Sequence, residues 1–368
     1  MQLTDYTKLP SVPIQKPDST FYFINAVVRP EYQFIQSYLD AALPSTRTAA
    51  FVVIRNDSIV YEKYFDGFNH KSLLPSNSMA KSFTGTLVGI ALDEGKIRSA
   101  SEPITNYLPE LLKNDENFSK ITIQDLLDMR SGLNFNEGTY DIHDDAIRIG
   151  LRPNLRKHIL RIKIAEPPGR FKYQSINTQL LSLIVEKATG KRLYEYLEEK
   201  LWKPLGMEEN ATWNVDSKKR KQVLGSAGLN AIPMDFAKFG RLYLNKGAWN
   251  GKQVISSAWV ETISSIDSME KYGGYKNQWW NRFAYHSFTD SLEAVNFKNQ
   301  TAHVSSIRKI QDAYRVSYRT PSFGAIGFLN QAIYVNPEKN LVIVRLGLRW
   351  QHPSMNAVQF IHDLAEKL

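Results

Sequence analysis

The sequence predicts an α/β (α+β) fold, an antiparallel sheet flanked by helices and built from both chain ends, with an inserted all-helical lobe. Three observations predict it. β-branched and aromatic runs flank Asn56-Asp57. Amphipathic helical periods fill the stretch from Ser78 to about Glu209. Two further strand-like runs precede a closing helix, Met355 to Lys367. At 368 residues, with 43% apolar, 12% aromatic and 23% charged residues, the chain can bury a sizeable core in two lobes.

Residues 1–20 are polar and proline-rich and read as an extended arm. Phe34, Ile35, Tyr38 and Leu39 give Glu31 to Ala42 a helical spacing. AAFVVIRND and SIVYEKYF then read as a hairpin that turns at Asn56-Asp57. Helices are predicted over Ser82 to Glu94, Thr122 to Met129, Leu180 to Thr189 and Leu193 to Leu201; Gly95, Gly132, Gly190 and Gly206 stand where left-handed caps belong. Beyond Leu224, Met234 to Asn245 and Ser257 to Ile266 read as helices. Gln278 to Tyr285, Gly327 to Val335 and Leu341 to Leu348 read as strands, the last two separated by Asn336-Pro337-Glu338-Lys339-Asn340. The predicted organisation is a discontinuous sheet lobe, 21–75 with 225–368, a helical lobe, 76–224, and an active site between them.

The net charge of +9 raises the question of a polyanionic partner. The basic runs Arg152 to Lys163 and Lys218 to Lys221 are short, lie between amphipathic segments and carry no nucleic-acid motif, so they read as solvated surface. Cysteine is absent, which excludes a thiol nucleophile, disulfides and thiolate metal sites. The seven histidines, at 70, 143, 158, 286, 303, 352 and 362, form no metal-ligand spacing. No apolar run is long enough for a transmembrane span, and MQLTDYTKLPSVPIQKP has no signal-peptide pattern. A cytoplasmic location and export by a segment outside this sequence both stay open, as does the oligomeric state.

Three elements can carry chemistry. In Ser78-Met79-Ala80-Lys81, ahead of a long apolar helix, the three-residue spacing puts serine and lysine on one face. A serine hydroxyl needs a neighbouring base to become a nucleophile, and a lysine serves when burial disfavours its charged form. Ser268-Met269-Glu270-Lys271 and Ser306-Ile307-Arg308-Lys309 share the spacing but sit among charges, and Ser78 taken by itself reads first as a helix-capping serine with a surface lysine one turn on. In Pro167-Pro168-Gly169-Arg170-Phe171-Lys172-Tyr173-Gln174-Ser175, the Tyr173 phenol could shuttle protons beside a lysine. Tyr-x-Asn patterns also occur at Tyr243, Tyr275 and Tyr334. In Gly324-Ala325-Ile326-Gly327, small residues admit a close backbone approach, and the Ser78 and Ala325 amides are candidate oxyanion donors. Asp144-Asp145 could be paired carboxylates but reads first as a solvated helix entry. A Gly-x-Ser-x-Gly elbow, a P-loop and a dinucleotide-binding glycine motif are all absent.

These elements, with LLDMRSGL (Leu126 to Leu133), the segment from Ser226, Gln278-Trp279-Trp280 and the tail LNQAIYVNPEKNLVIVRLG, resemble the serine β-lactamase and DD-peptidase superfamily. The branch resembled is that of class C β-lactamases, esterases and 6-aminohexanoate-oligomer hydrolases, over about Ala49 to the C-terminus. The resemblance implies a β-lactamase/transpeptidase-like fold and a cofactor-free acyl-enzyme mechanism. Ser78 would be acylated, Lys81 would accept its proton, and Tyr173 would prepare the deacylating water. Ser175, Gly324, Gly327, Tyr140 and Trp279 would contact a small ester, amide or peptide-like substrate. Two departures bear on substrate. Tyr173-Gln174-Ser175 stands for Tyr-x-Asn, and Ser322-Phe323-Gly324 for Lys-Thr-Gly, so the strand cation that holds a β-lactam carboxylate is missing. The expectation is an ester or linear-amide hydrolase; a β-lactamase or D-amino-acid peptidase, and a non-catalytic penicillin-binding or scaffold module, are the alternatives. Relatives with such a polar start often follow an export segment, which leans towards the cell envelope.

Overall fold

The computed structural model describes residues 2–27, 29–139, 144–264, 274–281, 284–301, 304–310, 312–352 and 355–368. The hairpin forms as its sequence demands: β2 (Thr48–Arg55) and β3 (Ser58–Tyr64) pair antiparallel, after the short β1 (Ile24–Asn25). Asn56 and Asp57 both take positive φ, the geometry of a twist-matched two-residue turn. Late in the chain come β4 (Tyr275–Lys276), β5 (Trp279–Trp280), β6 (Phe323–Gly327), β7 (Gln331–Asn336) and β8 (Leu341–Gly347). They join the early strands in one eight-stranded sheet, ordered β4-β5-β6-β7-β8-β2-β3-β1. All its pairings are antiparallel except β1 with β3. The sheet is thus built from both chain ends.

Both faces of its centre are covered, which is why β2 and β8 read as nearly continuous apolar runs. Val342 and Ile333 face helix α4 (Pro233–Leu244), where a Cβ on Gly240 would come within 2.6 Å of Val342. The opposite register, with Phe51 paired to Arg345, faces α1 (Pro30–Ala42) and α5 (Ala357–Lys367); the Phe51 and Phe360 rings meet edge-on at 6.3 Å. Arg241 of α4 grips Asp57 in the hairpin turn with two 2.6 Å contacts. Between the early and late strands lie α2 (Ala80–Asp93) and α3 (Ser175–Thr189). From Ala80 to Ala91 every residue of α2 is buried, the pattern of a helix inside a core. Gly190 caps α3 in the left-handed conformation expected of it.

Several expectations need correction. The 1–20 arm is not wholly extended: Asp5–Lys8 forms a 3-10 turn, and Ser11–Ile14 pairs with Ala211–Asn214 in a four-stranded sheet that also includes Leu229–Ala231 and Leu74–Pro75. The inserted segment therefore contributes one strand besides its helices, a pairing that bridges about two hundred residues and leaves no local trace. Gly327 to Val335 is two antiparallel strands, with Gly327 opposite Gln331 and a tight turn at Phe328–Asn330. Gln278 to Tyr285 divides between β5 and Ala284–Phe288, the latter in a separate three-stranded sheet with Ala313–Tyr318 at its centre and Val304–Ile310 beyond. That small sheet is half-exposed and carries little hydrophobic alternation. Ile266 lies outside the described residues.

His362 of α5 is fully buried and links the small sheet to the large one; its Nε2 lies 2.9 Å from the Tyr318 hydroxyl and its Nδ1 3.5 Å from that of Tyr334. Burial pushes its imidazole down to about 4. The unfolded chain takes up that proton near pH 6.5, so stability present above pH 6.5 is lost as pH falls towards 4, by on the order of 3 kcal/mol. Denaturant midpoints measured between pH 7 and 4 should fall more steeply for the wild type than for His362→Gln.

Candidate active site

Ser78 sits in a one-turn 3-10 segment, Asn77–Met79, that runs directly into α2. Lys81, one turn on, is 1% exposed. Its Nζ donates to Ser78 Oγ at 2.9 Å and to the Ser226 carbonyl at 3.2 Å, and lies 4.9 Å from the centre of the Tyr173 ring. Both hydrogen-bond acceptors are neutral, and a buried amine so placed is anchored without a carboxylate. The Ser226 carbonyl is itself fixed: Thr84 of α2 donates to the Gly225 carbonyl at 2.8 Å, and Gln179 of α3 donates to Ser226 Oγ at 2.9 Å while accepting from the Gly225 amide.

Tyr173 stands just before α3, whose entry is held by the buried Gln174 side chain donating to the Leu133 and Phe135 carbonyls. Its ring stacks on Trp280 at 5.4 Å and meets Tyr275 edge-on at 5.7 Å. Burial, reinforced by Tyr173 and two nearby carboxylates, pushes the Tyr275 phenol well above its ordinary value, so it serves as a neutral wall. Trp280 is positioned by Gln278, whose amide donates to the Leu126 and Leu127 carbonyls and accepts from Thr178, while the Gln278 carbonyl accepts from Ser82.

Ser78, Tyr173 and Trp280 open onto a cleft of about 800 Å³. One side is the 326–330 segment. A Cβ on Gly327 would fall 2.5 Å from the Ser76 carbonyl oxygen and 3.0 Å from the Ser78 amide nitrogen, so only glycine lets β6 approach Ser78 this closely. The turn beyond it uses left-handed Leu329 and Asn330, with φ of 64° at each. Tertiary contacts hold it: Asn77 Nδ2 donates to the Phe328 carbonyl at 2.8 Å, and the fully buried Arg345 guanidinium donates to the Leu329 and Asn330 carbonyls. Charged side chains at the cleft are Glu137, Asp144 and Arg349. Asp144 caps a short helix by accepting from the Ala146 and Ile147 amides, the helix entry its sequence suggested, but it is buried and not solvated.

The sequence candidates divide accordingly. Ser78, Lys81 and Tyr173 are brought together, and Gly327 lines the cleft beside them. Ser175 also lines it, but its Oγ donates to Glu137 at 2.7 Å, so it orients that carboxylate. Ala325 and Gly324 lie further down β6, Gly324 opposite Trp280; Ile326 is the residue after Ala325 that reaches the cleft. Trp279 needs correction. It is fully buried among Phe239, Tyr243 and Phe323, because successive residues of a strand point to opposite faces and Trp280 takes the cleft side. Tyr140 lies outside the described residues. Of the competing Ser-x-x-Lys matches, Ser306 and Lys309 lie on a strand, and Ser268 with Lys271 falls outside the described residues. Ser226, Glu137, Trp280 and Arg349 were not singled out beforehand; for Trp280, strand alternation was the available signal. Among the described residues no three histidine, aspartate or glutamate side chains cluster as metal ligands, and no helix is long and apolar enough to cross a membrane.

A helix-borne Ser-x-x-Lys pair set against the end of such a sheet defines the serine β-lactamase and DD-peptidase superfamily. Within it the chain belongs to the Beta-lactamase family, whose model matches residues 36–362. The 6-aminohexanoate-dimer hydrolase of Paenarthrobacter ureafaciens is 31% identical over 264 residues, 66% of this chain and 66% of that one. A Bacillus subtilis protein provisionally named a penicillin-binding protein is 26% identical over 183 residues, 47% of this chain and 44% of that one. The chain therefore spans between under half and about two thirds of these relatives. Among solved structures, a Bacillus anthracis protein provisionally named 6-aminohexanoate-dimer hydrolase superposes with a TM-score of 0.74 at 25% identity, covering 99% of this chain and 90% of that one.

The two neighbouring tryptophans should separate by experiment. Trp279→Ala should cost about 3–5 kcal/mol of stability as a buried aromatic deletion. Trp280→Ala, at a half-buried ring on the cleft side, should lower the denaturant midpoint less than Trp279→Ala does and raise KM several-fold for any substrate that the protein hydrolyses.

Proposed function

We propose that the protein is a serine hydrolase that forms an acyl-enzyme on Ser78 and cleaves a linear amide or a carboxylic ester. The observation that carries this reading is the 2.9 Å hydrogen bond between Lys81 Nζ and Ser78 Oγ at the wall of the cleft. Ser78 Oγ attacks the substrate carbonyl carbon as its proton passes to Lys81. The carbonyl oxygen takes up the negative charge, received by the Ser78 amide and a second amide from the Ala325–Gly327 segment. Collapse breaks the bond to the leaving amine or alcohol, which takes a proton through Tyr173. A water deprotonated through Tyr173 then attacks the acyl carbon and restores the Ser78 hydroxyl. The reading places this chemistry between the sheet lobe, 21–75 with 225–368, and the helical lobe, 76–224.

The walls support an extended substrate. Trp280, Phe328, Ile147 and Ile326 offer apolar and aromatic surface, with Glu137 and Asp144 on the 137–147 segment and Arg349 from the sheet side. The name of the 31% identical relative fits a linear amide of aliphatic units. Where the resemblance looks for a strand lysine, Ser322 is fully buried beside Thr320, which speaks against a β-lactam.

A serine-directed fluorophosphonate should label the wild type and fail to label Ser78→Ala; labelling that persists in the variant refutes the nucleophile. Chromogenic short-chain ester and linear amide should turn over with kcat/KM at least about 10–100-fold above a chromogenic cephalosporin, the cost of one missing charge-assisted hydrogen bond. Efficient cephalosporin turnover would favour the β-lactamase alternative.

A further inference from the structure

The basic run Arg152 to Lys163 is largely exposed, as its sequence suggested. Part of it is paired in the ordinary way: Arg156 contacts Glu110 at 2.9 Å. Arg152, His158, Arg161 and Lys163 instead line, with Arg148, a separate cavity of about 260 Å³ that among the described residues shares none with the cleft at Ser78. Its floor is apolar, formed by the buried Phe135, Ile149 and Ile176. One carboxylate lines it, Asp145, and this is already engaged: it lies 3.3 Å from Arg148 and accepts from the Asn136 amide at 2.9 Å. Arg152, Arg161 and Lys163 pair with no carboxylate among the described residues. The positive potential is felt inside the pocket, where burial and then Arg152, Arg161 and Lys157 hold the His158 imidazole below its ordinary value.

Guanidinium forks match phosphate oxygens in a bidentate fashion, and several of them around one small cavity make a site for a multiply bonded anion. The apolar floor suits the first carbons attached to such a group. We propose that this pocket binds a phosphate ester, held by Arg148, Arg152, Arg161 and Lys163 over Phe135 and Ile149. The phosphate can belong to a small soluble molecule or to a lipid headgroup; the chemistry of recognition is shared, and the experiment separates the sources.

Inorganic phosphate is titrated into the full chain at constant ionic strength, with chloride as the balancing anion, while the His158 ring resonance is followed. Saturable binding should move His158 and raise its pKa, since an adjacent anion favours the charged ring. In Arg152→Gln/Arg161→Gln the affinity should fall at least tenfold. Lys218→Gln/Lys219→Gln, which removes two exposed charges elsewhere, should bind as the wild type does. In parallel, cosedimentation with phosphatidylglycerol vesicles is compared with phosphatidylcholine vesicles for the same three proteins. Phosphate saturation lost in the pocket variant assigns a soluble phosphate ester. Phosphatidylglycerol binding lost only in the pocket variant, without phosphate saturation, assigns a headgroup. No binding in either assay, or equal loss in both variants, overturns the proposal. Hydrolysis at Ser78 should be unchanged in both variants and so reports folding independently.

Discussion

The constraint on which the site depends is the burial of Lys81. A long amine-bearing side chain enters the core on the first turn of α2, where the Ser78 hydroxyl, the Ser226 carbonyl and the face of Tyr173 receive it. Burying such a group is expensive unless its hydrogen bonds are provided, and much of the surrounding structure provides them. Thr84 and Gln179 fix the 225–226 backbone, Gln174 and Gln278 set the approach of Tyr173 and Trp280, and Gly327 lets the sheet edge close against the Ser78 amide. Remove the lysine and these buried polar groups lose their common purpose.

The second consequence of that arrangement is a division of labour along the chain. The sheet, closed by strands from both ends, supplies a rigid edge at β6. The inserted segment supplies the two helix entries that carry Ser78, Lys81 and Tyr173. Much of the cleft wall comes from Glu137, Gly138 and Asp144 and from the 328–330 turn with Arg349, outside the long helices and strands, and such segments are where substrate choice can change while the fold stays fixed.

Local features were legible in the sequence because their causes are local. The Asn56-Asp57 turn, the helix behind Ser78 and the Gly190 cap each follow from residues within a few positions of one another. The strand order and the Ser226 carbonyl that receives Lys81 were not, since they join residues far apart in the chain. The resemblance to a known family supplied Tyr173, but not which of two adjacent tryptophans faces the cleft. That choice is set by the register of a two-residue strand against Gly324. The turn at Leu329-Asn330 left no turn signature because its left-handed leucine is stabilised from a distance by Arg345 and Asn77. Glu137 was hidden likewise: its partner Ser175 is thirty-eight residues away, and neither residue alone suggests the other.

Whether Lys81 activates Ser78, and does not merely fill space behind it, is the central claim. It is tested most directly by the second-order rate of fluorophosphonate labelling in wild type and in Lys81→Met, which keeps the apolar stem and removes the amine. The account predicts a rate lowered about 10²–10⁴-fold, the usual contribution of a positioned base, with the residual label still on Ser78 by peptide mass spectrometry. A labelling rate within a few-fold of wild type in a folded Lys81→Met protein would contradict it.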